Sequence, residues 1–238
     1  MATFVIVHGA WSGAHAWRWV RPLLRTAGHE VVTPSLTGLG ERAHLATPET
    51  DLDVHIADVV AVLHYEDLTD VVLVGHSYGG MVITGVADRT PERIGQLVYL
   101  DADVPRAGES MLDLVPAESR ALYEESARTR GDGWRVPAPL PDPLPPDIPS
   151  EVAWAVARMV HHPLATMTQP LHLEHGETEL PRTFVLCTEE KEGEAEPPSV
   201  TRVRTDPSWR LVELAASHTA HVAAPALLSS TLLKIAAG

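Results

Sequence analysis

The sequence predicts an α/β fold: a mostly parallel sheet of about six strands, flanked by helices and interrupted by one helical insertion. Three observations lead there: short β-branched runs alternating with helical stretches, a strandless gap of more than seventy residues, and a 238-residue chain long enough for one sizeable core. The runs are Phe4 to Val7, Glu30 to Thr33, Val71 to Val74, Leu97 to Leu100, Thr183 to Cys187 and Arg210 to Leu214. Apolar runs without alternation are strands buried on both faces, as in a parallel sheet. Between the second and third, Ile56, Val59, Val60 and Leu63 recur at helical spacing behind a cap at Asp51 or Asp53. The resulting βαβ units take right-handed crossovers. Leu228, Leu232 and Ile235 predict a closing helix.

The alternation breaks between about Val104 and Leu180. Seven prolines fall within residues 137–149, which favours extended chain and forbids a helix there. On either side, Met111, Leu112, Leu114, Tyr123, Trp134, Trp154, Val156 and Met159 are too apolar for a solvated linker. The expected organisation is a core of residues 1–103 and 181–238, with residues 104–180 as a helical cap hinged by the Pro-rich loop 137–149 over the carboxyl ends of the strands. No internal repeat is visible.

Composition excludes several classes. Eighteen basic against 32 acidic residues leave a net charge of −14, which repels phosphate backbones and argues against nucleic acid as a partner. A single cysteine, Cys187, rules out an internal disulfide framework and a Cys-based zinc site, and suits a reducing cytoplasm. A strand-like run begins at Thr3, and no stretch approaches the roughly 20 apolar residues of a membrane span, so neither a leader nor a membrane partner is expected. Among thirteen histidines, the pairs His161/His162 and His172/His175 invite a metal, but His172 and His175 are not obviously on one helical face. The expectation is no metal and no cofactor.

The strongest local signal is Gly75-His76-Ser77-Tyr78-Gly79-Gly80, between the run Val71 to Val74 and the helical Met81-Val82-Ile83-Thr84. A nucleophile that stands clear of a sheet needs a sharp strand-to-helix turn with small neighbours, which Gly75 and Gly79 provide around Ser77. An oxyanion needs donors aimed at it: the N–H of Tyr78, after the nucleophile, and that of Ala10 in the His8-Gly9-Ala10 turn behind the first strand. A serine hydroxyl also needs a base. His218 follows the last strand by a short loop, giving the order Ser, acid, His; His221 competes with it. The acid belongs after a strand. Glu190 in Thr188-Glu189-Glu190-Lys191-Glu192 is the first choice, against Asp101 and Asp103 after the preceding strand and Glu189 or Glu192 beside it.

These segments together resemble the α/β-hydrolase superfamily, in the small branch holding plant methyl-salicylate esterases, hydroxynitrile lyases and related bacterial carboxylesterases. Phe4 to Ala10 resembles its oxyanion strand and turn, and Gly75 to Gly80 its elbow. Leu36 to Arg42, Asp51 to Asp53, Tyr99 to Ala102, His162 to Leu164 and Gln169 to Leu171 look like its bacterial members. The resemblance implies Ser77 as nucleophile, His218 as base, Ala10 and Tyr78 as oxyanion donors, and Glu190 where the family usually carries aspartate. Ser217 stands where glycine is common, and Ser12 and His15 where His and Trp are usual. Thr219 replaces the lysine that follows the base in hydroxynitrile lyases, which argues against a cyanohydrin lyase. The activity implied is cofactor-free hydrolysis of a small, largely apolar ester or lactone through an acyl-enzyme; a homodimer stays open. Two alternatives are a non-hydrolytic cyclase or lyase of secondary metabolism and a ligand-binding receptor on the same fold.

Overall fold

A computed structural model describes residues 1–141, 143–189 and 196–238. Six strands form the main sheet: β1 (Thr3–Val7), β2 (Glu30–Val32), β3 (Val71–His76), β4 (Ile94–Leu100), and, after two short strands of the insertion, β7 (Arg182–Cys187) and β8 (Trp209–Leu214). Their spatial order is β2-β1-β3-β4-β7-β8 and every pairing is parallel. All six runs read from the sequence are present, β4 beginning three residues earlier than expected because Ile94 already pairs with Val71.

The lack of alternation has the physical cause anticipated. Val5, Val7, Leu73, Leu97, Tyr99 and Phe184 face one core, with α2 (Leu52–Tyr65) and α3 (Gly79–Arg89); Phe4, Ile6, Val74, Val98, Leu100 and Val185 face the other. The second core is closed by α1 (Val20–Thr26) and the C-terminal α9 (Pro225–Ala236), which follows the short α8 (Ala220–Ala223). Each buried Val, Leu, Ile or Phe contributes about 1.5–3 kcal/mol, so burial on both faces is what holds the central strands. At the edge, β8 turns Arg210 and Glu213 to solvent, which guards it against strand addition. Asp51 caps α2, its Oδ1 accepting the Val54 N–H at 3.0 Å.

Among the described residues, 104–180 adds no strand to the main sheet. It holds α4 (Ala117–Arg130), α5 (Ser150–Val156), α6 (Leu164–Thr168) and a two-stranded antiparallel ribbon of β5 (Arg135–Val136) with β6 (His162–Pro163). It is pinned to the core at its beginning, where Glu109 takes a two-pronged bond from Arg202 of α7 (Pro198–Thr205) at 2.5 and 2.6 Å.

One glycine shows how tightly the carboxyl ends of β3 and β4 interlock. A Cβ on Gly80 would lie 2.0 Å from the carbonyl oxygen of Asp103, backbone that cannot step aside without moving the loop after β4. Gly80→Ala is therefore expected to cost about 1–3 kcal/mol, read as a lower urea midpoint with an unchanged slope. An unaltered midpoint would show that the loop yields freely.

Candidate active site

The sheet order decides which side chains can meet. β3 and β4 are neighbours in register, His76 opposite Leu100, so Ser77 and Asp101 leave adjacent strand ends at the same level. Their backbones interlock: the Ser77 N–H donates to the Leu100 carbonyl at 3.2 Å, and the Asp103 N–H to the Ser77 carbonyl at 3.1 Å. Ser77 sits at φ +54°, the strained turn that the Gly-x-Ser-x-Gly spacing predicts.

Asp101 is strained as well, at φ +44°. Its N–H donates to the Val185 carbonyl at 2.8 Å, and its Oδ1 accepts the Cys187 N–H at 3.3 Å, so β7 fixes both its backbone and its carboxylate. The other oxygen, Oδ2, lies 2.7 Å from His218 Nδ1. With Nδ1–H donating to that carboxylate, Nε2 keeps its lone pair, the tautomer a general base requires. The Asp101 side chain is 5% exposed and that of His218 46%, so the carboxylate is sheltered while the imidazole remains accessible. Glu190, the first choice for the acid, lies outside the described residues, as does Glu192. The carboxylate found against the histidine is its rival Asp101.

Ser77, His218 and Ala10 line one cavity of about 180 Å³. Its other walls include Leu140 from the Pro-rich loop and Val156 and Met159 from α5 and the residues after it. His221 also lines it, but its ring stacks on Trp17 at 4.9 Å, where it acts as wall.

The first-strand turn is held by a second histidine. His8 Nε2 accepts the Leu36 N–H at 3.1 Å, which places the proton on Nδ1, 2.8 Å from the Gly9 carbonyl. Because a trans peptide points its C=O and N–H in opposite directions, fixing the Gly9 oxygen also fixes the Ala10 N–H. Trp11, next in the chain, is tied to the insertion. Its N–H donates to His162 Nδ1 at 3.2 Å, its carbonyl accepts from Val160 at 2.9 Å, and its indole donates to the Val136 carbonyl at 2.8 Å. Tyr78 is the N-cap residue of α3, so its N–H lies ahead of the helix's own bonds, while its hydroxyl is spent internally on His55 Nδ1 at 2.9 Å.

The model of the alpha/beta hydrolase family matches residues 4–230. The chain belongs to the alpha/beta hydrolase family. It is 39% identical over 247 residues to a carbendazim hydrolyzing esterase of Nocardioides sp. (strain SG-4G), covering 98% of each chain. It is 31% identical over 134 residues to salicylic acid-binding protein 2 of Nicotiana tabacum, covering 55% of this chain and 48% of that one. Among solved structures, an extracellular alpha/beta-hydrolase of a Paenibacillus species superposes with a TM-score of 0.83 at 24% identity, covering 98% of each chain. Family and full-length kinship make this hydrolase an ester hydrolase.

Around the site, burial sets the charge states. It pushes His8 and His55 down to about 4 and His221 to about 3, and holds His76 and His162 well below the usual histidine range. The same cause raises Asp103 to about 6, the neighbouring Asp101 adding to the shift and His218 opposing it. These shifts have a consequence for stability. Between the ordinary histidine value of 6.5 and about 4, the unfolded hydrolase binds protons that the folded one refuses, so stability falls as pH falls through that window. The slope is up to about 1.4 kcal/mol per pH unit for each such histidine. Asp103 acts oppositely: its proton stabilises the fold at low pH, and that contribution is lost as pH rises through about 6. Five histidines outweigh one carboxyl, and urea midpoints measured across the window should drop steeply on the acid side. A flat profile would contradict neutral burial of these rings.

Proposed function

We propose that this hydrolase cleaves small, uncharged, largely apolar carboxylic esters or lactones through an acyl-enzyme on Ser77. The observation that carries the reading is the ordered histidine: Asp101 holds His218 Nδ1 at 2.7 Å, and both His218 and Ser77 line one apolar cavity. His218 Nε2 takes the Ser77 proton, Oγ attacks the ester carbonyl, and the Ala10 and Tyr78 N–H groups receive the oxyanion. The proton then passes from His218 to the departing alkoxide. Water, activated by the same nitrogen, adds to the acyl-enzyme and releases the acid. Asp101 takes the role of the acid, keeping the imidazole oriented and stabilising its charged form.

The insertion supports the substrate class. Leu140, Val152, Ala155, Val156 and Met159 give the cavity an apolar wall with no charged side chain on that side among the described residues, which penalises a charged acyl or alcohol group. Residues 104–180 serve as its cap. The single buried cysteine fits a cytoplasmic setting, and no described helix is long and apolar enough to cross a membrane.

A panel of neutral aryl and alkyl esters, their charged analogues and carbendazim, the substrate named for the Nocardioides relative, tests this reading. Neutral short esters should turn over, with a clear loss when a carboxylate or ammonium is placed on either half. Equal turnover of charged analogues would overturn the substrate class. Product formation without release of acid and alcohol would overturn hydrolysis.

A further inference from the structure

We propose that His76, the residue before the nucleophile, is a positioning residue for the base, donating a hydrogen bond from Nε2 to the backbone carbonyl of His218. The inference rests on the reading of Ser77 and His218 as nucleophile and base, and adds to it a device that holds them together. The two atoms are 2.9 Å apart, between residues separated by 142 positions in the chain. A carbonyl can only accept, so the proton must be on Nε2.

Three catalytic segments meet at this ring. His76 is covalently next to Ser77 and only 5% exposed. Its ring lies 4.7 Å from that of His218, tilted by 39°, and 4.6 Å from that of His221, itself stacked on Trp17. On the third side is the oxyanion turn, where a Cβ on Gly9 would come 2.9 Å from His76 Nδ1. Moving the ring therefore disturbs the elbow, the base loop and the oxyanion turn together. His218 is otherwise held through its side chain by Asp101 alone among the contacts described above. A loop that carries a half-exposed imidazole needs a backbone anchor if Nε2 is to be presented to the serine across the cavity they share.

Charge supports the same role. Burial keeps His76 neutral, with His221, His218 and His8 the titratable rings around it, all of which disfavour a second positive charge. A neutral ring can sit against His218 when that residue becomes an imidazolium, whereas a lysine or arginine there would repel it.

The test compares His76→Gln, whose amide N–H can reach the His218 carbonyl, with His76→Leu, which fills space without a donor, using Ser77→Ala as a control. Both His76 variants are first checked by thermal melting. His76→Leu should lose about ten- to a hundredfold in kcat with KM little changed. The acid limb of its kcat/KM profile should move to lower pH, because a drifting His218 is less well paired with Asp101. His76→Gln should recover most of both effects. Wild-type kcat and an unmoved limb in His76→Leu would overturn the proposal, as would a Gln variant as impaired as Leu. Should His76→Leu fail to fold, 15N-histidine spectra of the wild-type enzyme decide: a proton on Nε2 is expected, and one on Nδ1 contradicts it. Activity surviving in Ser77→Ala would instead sink the underlying reading.

Discussion

Ser77→Ala is expected to lower kcat for a neutral ester by about 10⁶, leaving KM and the melting temperature nearly unchanged. The size follows from the loss of the covalent path itself: an alanine cannot form the acyl-enzyme, and what remains is the oxyanion donors and substrate binding, worth about 10³–10⁴ over water. The fold should tolerate the change because Ser77 is positioned by its backbone, through the bonds joining its N–H to Leu100 and its carbonyl to Asp103, and neither uses the hydroxyl. Relief of a strained φ of +54° is not available to alanine, so no gain in stability is expected. A variant that keeps a tenth of its activity would remove Ser77 from the mechanism.

Asp101→Asn is expected to cost about 10⁴ in kcat. The amide preserves the shape of the side chain but lacks the negative charge that stabilises an imidazolium. If it turns its NH₂ toward His218, it donates to Nδ1 and leaves the proton on Nε2, the wrong tautomer for a base. Two controls separate this carboxylate from its rivals. Asp103→Asn should retain most of the activity, since no bond joins its side chain to His218 among the described residues. Glu190→Gln should be nearly silent if Asp101 alone orients the base. A large loss at Glu190 with a small one at Asp101 would return the acid to the position that the family resemblance implies. Rates on one activated ester settle the comparison.

How the acid came to be the least legible residue has a physical explanation. The proposed nucleophile, base and oxyanion turn each sit in a local pattern with a steric or chemical requirement: Gly-x-Ser-x-Gly for a strained elbow, His-Gly after the first strand, a histidine between the last strand and the last helix. A carboxylate that orients a histidine needs only to reach Nδ1, and two strand ends, those of β4 and β7, face that place. Sequence position favoured the glutamate-rich end of β7. What places Asp101 against His218 is tertiary: β4 stands beside β3, and Cys187 and Val185 of β7 fix Asp101 at a positive φ. The dipeptide Leu100-Asp101 at a strand's carboxyl end is a signal for a carboxylate there, but a weaker one in the sequence than five glutamates between residues 189 and 196.

The buried histidines were illegible for the opposite reason. Their chemistry lies in which nitrogen carries the proton, and that is set by partners far away in the chain: Leu36 for His8, Thr37 for His55, Trp11 for His162. The core strands needed no such partners to be recognised. Burial on both faces of a parallel sheet is written directly as unbroken apolar runs, and only their ends moved.

The proposed mechanism requires that one serine, activated by His218 and Asp101, forms the covalent intermediate. Intact mass followed by peptide mapping after treatment with a serine-directed aryl phosphonate tests it most directly, run on the wild type, Ser77→Ala and Asp101→Asn. The expected result is one adduct per chain on the peptide containing Ser77, none in Ser77→Ala, and the same adduct formed far more slowly in Asp101→Asn. Labelling that persists in Ser77→Ala, or that maps to any other residue, would contradict the account.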